Sequence, residues 1–85
     1  MNTLIQGLEK FLVTEVAADL GRKTLALDEN LLDQRIIDSL GILRLVSYIE
    51  QVHGIKIGDE EIVPENFQDL NRISQFVEQK LMQYR

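Results

Sequence analysis

The chain has 85 residues, enough for one small hydrophobic core and no second one, so we predict a single domain over residues 1–85. Its 9 Lys and Arg against 14 Asp and Glu give a formal net charge of −5, which excludes nucleic acid and anionic membrane surfaces as main partners, because both need clustered cations. Cysteine is absent, which excludes a disulfide framework, a thiolate zinc site and a cysteine nucleophile. The sequence has neither the ~20-residue apolar run of a membrane span nor a signal peptide at its start, so we expect a cytoplasmic protein.

The acidic residues are concentrated in the middle of the chain. Between positions 28 and 65 there are nine acidic and three basic residues, a net charge of −6. A charge run of this kind usually marks solvated helix and loop surface, and we expect the same here.

A first amphipathic helix is predicted over about residues 3–20, with Gly21 placed to end it. Its apolar side chains recur at spacings of 3, 4 and 4: Ile5, Leu8, Leu12 and Val16. Residues 21–37 then show no helical period, although six of them are leucine or isoleucine: Leu25, Leu27, Leu31, Leu32, Ile36 and Ile37. So long a connection should be functional, pinned to the core by these residues, or both.

A second helix is predicted over about residues 39–53, after Asp38 and Ser39, two residue types that cap helices. It is apolar around so much of its circumference that it should lie centrally. Residues 55–57 should be extended, and Asp59 should cap a short helical turn around 60–67. Asp69 should cap a last helix, in which the apolar residues are Leu70, Ile73, Val77, Leu81 and Tyr84.

These elements predict an all-α fold, a small bundle of three principal helices with a short helical turn before the last one. Catalysis by the chain itself is not expected. The one histidine, His53, lies 14 residues from Ser39 on the same helix, about 21 Å at a rise of ~1.5 Å per residue. Three consecutive carboxylates at 59–61 do not point at one centre, so no metal site is predicted.

Ser39 is the one position with a candidate site for covalent modification. Ser39 places a primary hydroxyl at a helix start between apolar neighbours, where a phosphate ester would meet free backbone N–H groups and the positive end of the helix dipole. The alternative is that Asp38 or Ser39 merely caps the helix, and spacing alone favours the cap.

The surrounding sequence resembles the phosphopantetheine attachment motif of acyl and peptidyl carrier proteins. Asp38-Ser39-Leu40 opens a helix after a leucine-bearing loop, and Pro64-Glu65-Asn66-Phe67 is similar to an element that precedes the last helix in many free-standing carriers of secondary metabolism. The resemblance extends over practically the whole chain. It implies an acyl-carrier-like fold and a 4′-phosphopantetheine arm, derived from coenzyme A, on Ser39. It also implies that Asp38 and Leu40 contact the transferase and later enzymes.

The sequence departs from the fatty-acid carrier pattern on both sides of the motif. Isoleucines at 36 and 37 occupy an approach where that pattern has a glycine, and Gly41 and Arg44 stand where it has acids. We therefore expect a partner surface that is more apolar and of mixed charge, formed by Leu40, Leu43 and Arg44. The resemblance also makes Ile62 a candidate partner residue, because it lies on the short turn that often touches partners in this family. An alternative remains for each of two residues. Arg44 could pair with an acid one turn away, and Ile62 could be a core residue.

The function implied is that of a free-standing carrier in secondary metabolism, which holds biosynthetic intermediates as thioesters. A peptidyl carrier is preferred. Its implied partners are a phosphopantetheinyl transferase, an adenylating ligase or acyltransferase, and downstream tailoring or condensing enzymes, with the carrier itself monomeric. Two alternatives stay open: an unmodified helical adaptor between proteins, and a fatty-acid or polyketide carrier.

Overall fold

The computed structural model describes residues 3–83, which form an all-helical bundle. Its α-helices are α1 (Thr3–Phe11), α2 (Ser39–His53), α3 (Pro64–Phe67) and α4 (Leu70–Gln83). The fold prediction is therefore confirmed: three principal helices, a short one before the last, and a long loop between the first two. Tyr84, expected on the last helix, lies outside the described residues.

The first helical segment reaches Leu20 as predicted, but it is not a regular α-helix. After Phe11 it widens into a π-type turn over Leu12–Val16, in which Ala17 N–H donates to the carbonyl five residues back, and it ends in a 3-10 turn over Ala18–Leu20. The Thr14 hydroxyl donates to the Lys10 carbonyl at 2.6 Å, a side-chain bond that bends helices. Gly21, with φ of 69°, ends the segment in the left-handed conformation.

The core draws on every principal helix and on the long loop. The fully buried side chains are Leu8, Leu12, Leu31, Leu45, Ile49, Phe67, Leu70, Ile73 and Val77. Phe67 also packs at a tilt against Phe76, with ring centroids 5.6 Å apart. Phe11 is only half-buried and stacks on Tyr48 at 4.4 Å, so both aromatic rings pack between α1 and α2.

The loop from residue 21 to residue 37 is held by backbone hydrogen bonds as well as by its apolar side chains. Leu31 N–H donates to the Gln68 carbonyl at 2.7 Å, and Asn71 N–H donates to the Leu27 carbonyl at 3.1 Å. The Glu9 carboxylate accepts from Leu25 N–H at 2.7 Å. The prediction that the loop docks on the helices is confirmed, and these bonds show that it crosses the beginning of α4.

Two polar groups organise the segment after α2. Asp69 caps α4 as predicted, since its Oδ1 accepts from Arg72 N–H at 2.8 Å. The expected cap by Asp59 is wrong by one residue: Gly58 precedes the 3-10 turn over Asp59–Glu61, and its N–H donates to Glu61 Oε1 at 2.9 Å. Residues 55–57, predicted to be extended, belong to no helix or strand among the described residues.

Among residues 3–83, none of the helices combines the length and apolar character that crossing a bilayer requires.

Candidate functional site

Asp38 and Ser39, the two candidate caps predicted from the sequence, have different positions at the start of α2. Asp38 is the cap: its backbone is extended and its Oδ1 accepts from Gly41 N–H at 2.8 Å. Ser39 is the first residue of the helix, is exposed, and its hydroxyl makes no hydrogen bond within residues 3–83. Because Asp38 already supplies the cap, the Ser39 hydroxyl is left available for chemistry.

Gly41 is required by packing between α2 and the first helical segment. A Cβ at this position would lie 2.8 Å from Val16 Cγ1, 2.9 Å from Ile37 Cγ1 and 3.3 Å from the capping Asp38 Oδ1. An acidic side chain here would force these neighbours to shift, which gives a packing reason for one departure from the fatty-acid carrier pattern. Sequence reasoning noted the missing acid and did not identify the close contact, although a glycine inside a helical pattern is a usable signal for one.

An open groove of about 810 Å³ lies beside Ser39. The long loop, the beginning of α2 and the approach to α3 form its walls. Most of its lining residues are apolar: Leu32, Ile37, Ile42, Leu43, Ile62, Val63 and Pro64. Ile62 lines this groove and also packs against the core, so both of its expected roles are compatible with its position. Val63 and Pro64 were not singled out as site residues, because only the fold brings them opposite Ser39.

Arg35 is the remaining charged residue in this groove besides Asp38. Its φ is 58°, so it is the one non-glycine residue among those described that adopts the left-handed conformation. That conformation costs an L-residue about 1–2 kcal/mol. Arg35 is exposed and forms no ion pair within residues 3–83. Nothing in the sequence signals this conformation, since arginine is not a residue type that favours it.

The outward face of α2 is apolar and cationic. Leu40 is 66% exposed and Leu43 is 56% exposed. Arg44 is exposed and belongs to none of the ion pairs among the described residues, so this structure does not show the alternative pairing with an acid one turn away. The one acidic residue of this helix, Glu50, forms an internal hydrogen bond, since its Oε2 accepts from Ile57 N–H at 2.8 Å. Leu43 also lines the groove, which makes this face continuous with the site.

Other chemistry lies away from Ser39. His53 is at the opposite end of α2, so it cannot reach the hydroxyl. Residues 3–83 contain no group of three or more His, Cys, Asp or Glu side chains that could hold a metal ion. The hydrogen bond from Lys80 lowers the pKa of Glu61, with Gly58 N–H adding to the effect. These contacts brace the turn before α3 rather than activate a group in the groove.

Comparisons with known proteins point to one family. The family described as "Phosphopantetheine attachment site" matches residues 10–77, which include Ser39 and every residue that lines the groove. Curated relatives include D-alanyl carrier proteins of Streptococcus equi subsp. zooepidemicus (strains MGCS10565 and H70) and of Streptococcus equi subsp. equi (strain 4047). Each is 36% identical over 53 residues, which is 62% of this chain and 67% of the relative.

A similar solved chain comes from a crystal structure described as an FAD-dependent dehydrogenase. The two chains superpose with a TM-score of 0.65 at 30% sequence identity, over 87% of this chain and 97% of that one.

Proposed function

The chain belongs to the family of phosphopantetheine-binding carrier proteins, and we propose that Ser39 is the residue to which its cofactor is attached. A carrier of this family holds 4′-phosphopantetheine and performs no catalysis itself, so the chain is a carrier protein and not an enzyme. The observation that carries the assignment to Ser39 is its exposed, unengaged hydroxyl at the start of α2, beside the groove.

The residues around Ser39 fit the group. Attachment forms a bond between Ser39 Oγ and phosphorus, breaks the pyrophosphate of coenzyme A and releases adenosine 3′,5′-bisphosphate. We propose that the hydroxyl proton passes to a base on the transferase, since the only histidine of this chain lies at the far end of α2 and Asp38 is engaged as the cap. When bound, the cofactor supplies the thiol that this cysteine-free chain lacks, and that thiol holds an acyl or aminoacyl group as a thioester.

We propose an aminoacyl cargo. The similarity to D-alanyl carrier proteins supports an amino acid loaded by an adenylating ligase over a fatty acid loaded by an acyltransferase. The outward face of α2 supports the same choice, since it lacks the acids of the fatty-acid carrier pattern. D-Alanine is one candidate amino acid, and a peptidyl carrier in secondary metabolism is the other setting that we propose.

A flavoenzyme is a candidate downstream partner. The solved chain is matched over 97% of its length, so it is about as short as this one and has the size of a carrier. We infer that an FAD-dependent dehydrogenase acts on the group that this carrier holds. In that step the carried group would lose two electrons and two protons, and FAD would be reduced.

The partner surface that we propose consists of Asp38, Leu40, Leu43, Arg44 and Ile62. The two exposed leucines would enter an apolar recess, and Arg44 would face an acid at its rim. Because Ile62 and Leu43 also line the groove, an enzyme docked here would lie next to the attached cargo.

Intact-mass spectrometry tests the attachment site. With a broad-range phosphopantetheinyl transferase and coenzyme A, the wild-type chain should gain the mass of one phosphopantetheine, and Ser39→Ala should gain none. Ser47→Ala is the matched control, because Ser47 is an exposed serine on the same helix. No gain on the wild type would favour the unmodified adaptor, and an undiminished gain on Ser39→Ala would move the site elsewhere.

Loading assays test the cargo and the partner surface. The modified chain should accept an amino acid from an adenylating ligase, and D-alanine is one of the amino acids to test. Leu43→Ala should lower kcat/KM of this loading about fivefold, because it removes ~1 kcal/mol of apolar contact. Arg44→Glu should lower it severalfold, whereas Lys23→Glu, the same charge reversal on the exposed loop, should have no effect. Loading only by a fatty acyltransferase, or equal losses in the two charge reversals, would contradict the proposal.

A further inference from the structure

The backbone of Arg35 is the one feature of the groove that the attachment of a cofactor at Ser39 does not explain. A left-handed conformation at a non-glycine residue persists only where the surrounding structure enforces it, and such residues concentrate at functional sites. Glycine would adopt the same φ without steric penalty. An arginine at this position therefore indicates a role for its side chain.

The charges around the groove leave the Arg35 guanidinium without a counterion. Arg35 is the one cationic residue in the lining and Asp38 the one anionic residue. Asp38 uses Oδ1 to cap α2 through Gly41 N–H. Arg35 and Asp38 also line a second pocket of about 210 Å³ with Asp19, so Arg35 stands between the two depressions. It forms an ion pair with neither acid among the described residues.

Attachment of the cofactor at Ser39 would change this balance. A phosphodiester anion would then stand next to the Asp38 carboxylate, and like charges at close range repel each other. A cation in the same groove would offset that repulsion. Arginine is suited to the task because its planar fork of N–H donors matches two phosphate oxygens at once, which a lysine ammonium does not.

We propose that Arg35 binds the phosphodiester of the arm attached to Ser39, an inference that rests on Ser39 being the attachment residue. Arg35 lies four residues before Ser39 in the chain and lines the same groove, which places its side chain on the same side of the site as the attached arm. The unmodified chain has an unpaired cation there, and modification completes the pair. Arg35 is thus a positioning residue, which anchors the root of the arm at the apolar wall that the cargo meets first.

The experiment compares unmodified and modified forms of the wild type, Arg35→Gln, Arg35→Gly and Arg35→Lys. Modification should raise the thermal midpoint of the wild type by a few degrees at low salt, as expected for an exposed ion pair in a domain of this size. Arg35→Gln and Arg35→Gly should lose this gain, and Arg35→Lys should keep part of it. In about 1 M NaCl, where screening acts within ~3 Å, the gain should shrink in the wild type.

A second readout reports on the phosphorus itself. The ³¹P resonance of the modified chain should shift in Arg35→Gln and stay in place in Lys23→Gln, a matched loss of one charge on the exposed loop. If Arg35→Gln changes the stability of the unmodified and modified forms equally, or leaves the ³¹P resonance in place, Arg35 serves the fold alone and the inference is overturned. A wild type that gains no mass would instead overturn the attachment at Ser39, so the two failures are distinguishable.

Discussion

Asp38 caps α2 and, in the partner surface that we propose, also contacts the transferase, and two substitutions separate the two roles. Asp38→Ala removes the oxygen that accepts from Gly41 N–H at 2.8 Å. Loss of a side-chain cap costs about 1 kcal/mol, which corresponds to a fall in Tm of roughly 4–8 °C for a domain of this size. Asp38→Asn keeps an oxygen in the same place and gives up only the favourable charge at the helix start, a few tenths of a kcal/mol.

The rate of modification should respond differently. Asp38 is exposed, and only one of its carboxylate oxygens is used by the cap. If the other oxygen meets the transferase, Asp38→Asn should fold normally and be modified about tenfold more slowly, the loss of a charge-assisted contact of ~1.4 kcal/mol. Asp33→Asn, at an exposed acid in the loop, is the matched control.

Urea or thermal unfolding measures the first effect, and time-resolved intact-mass spectrometry measures the second. An Asp38→Ala chain as stable as the wild type would refute the capping role. A full rate of modification in Asp38→Asn would confine Asp38 to structure and remove it from the partner surface.

Two further predictions concern stability. Gly41→Ala should gain about 1 kcal/mol in helix propensity but lose ~1–3 kcal/mol to overpacking against Val16 and Ile37, so urea unfolding should show net destabilisation; a more stable variant would refute the tight packing. Glu61→Gln should cost ~1 kcal/mol through the lost pair with Lys80, at 2.9 Å. Because the folded chain depresses the pKa of Glu61, this contribution is fully present above the ordinary glutamate value of 4.5 and is lost as pH falls through the lower folded value. Unfolding curves of the wild type and Glu61→Gln should therefore converge in acid, and a constant gap would contradict the pair.

Local sequence patterns predicted the elements whose cause is local. α2 and α4 follow from apolar spacing, and Asp69 caps α4 because aspartate suits that position. The π-type turn after Phe11 did not follow, because the apolar spacing of this segment is that of a regular α-helix.

The residue at the centre of the candidate site was predicted from the sequence, and the surroundings of that residue were not. Ser39 was predicted as the attachment residue through the motif around it, and the structure places it beside the groove. The conformation of Arg35, the contacts of Gly41 and the wall formed by Val63 and Pro64 were not, because each depends on segments distant in sequence that only folding brings together.

If enzymes dock on the partner surface that we propose, the two exposed leucines of α2 limit the lifetime of the complex. Full burial of a leucine gains about 1.5–3 kcal/mol, and Leu40 and Leu43 have roughly half to two thirds of that left to gain, about 2–4 kcal/mol together. Because ~1.4 kcal/mol corresponds to a factor of ten, burying both leucines lengthens the lifetime of a complex by a factor of roughly 30 to 1,000. A gain of this size stays far below that of a permanent complex, which suits a face that successive enzymes use in turn. A third exposed leucine would favour capture by one enzyme over delivery to the next.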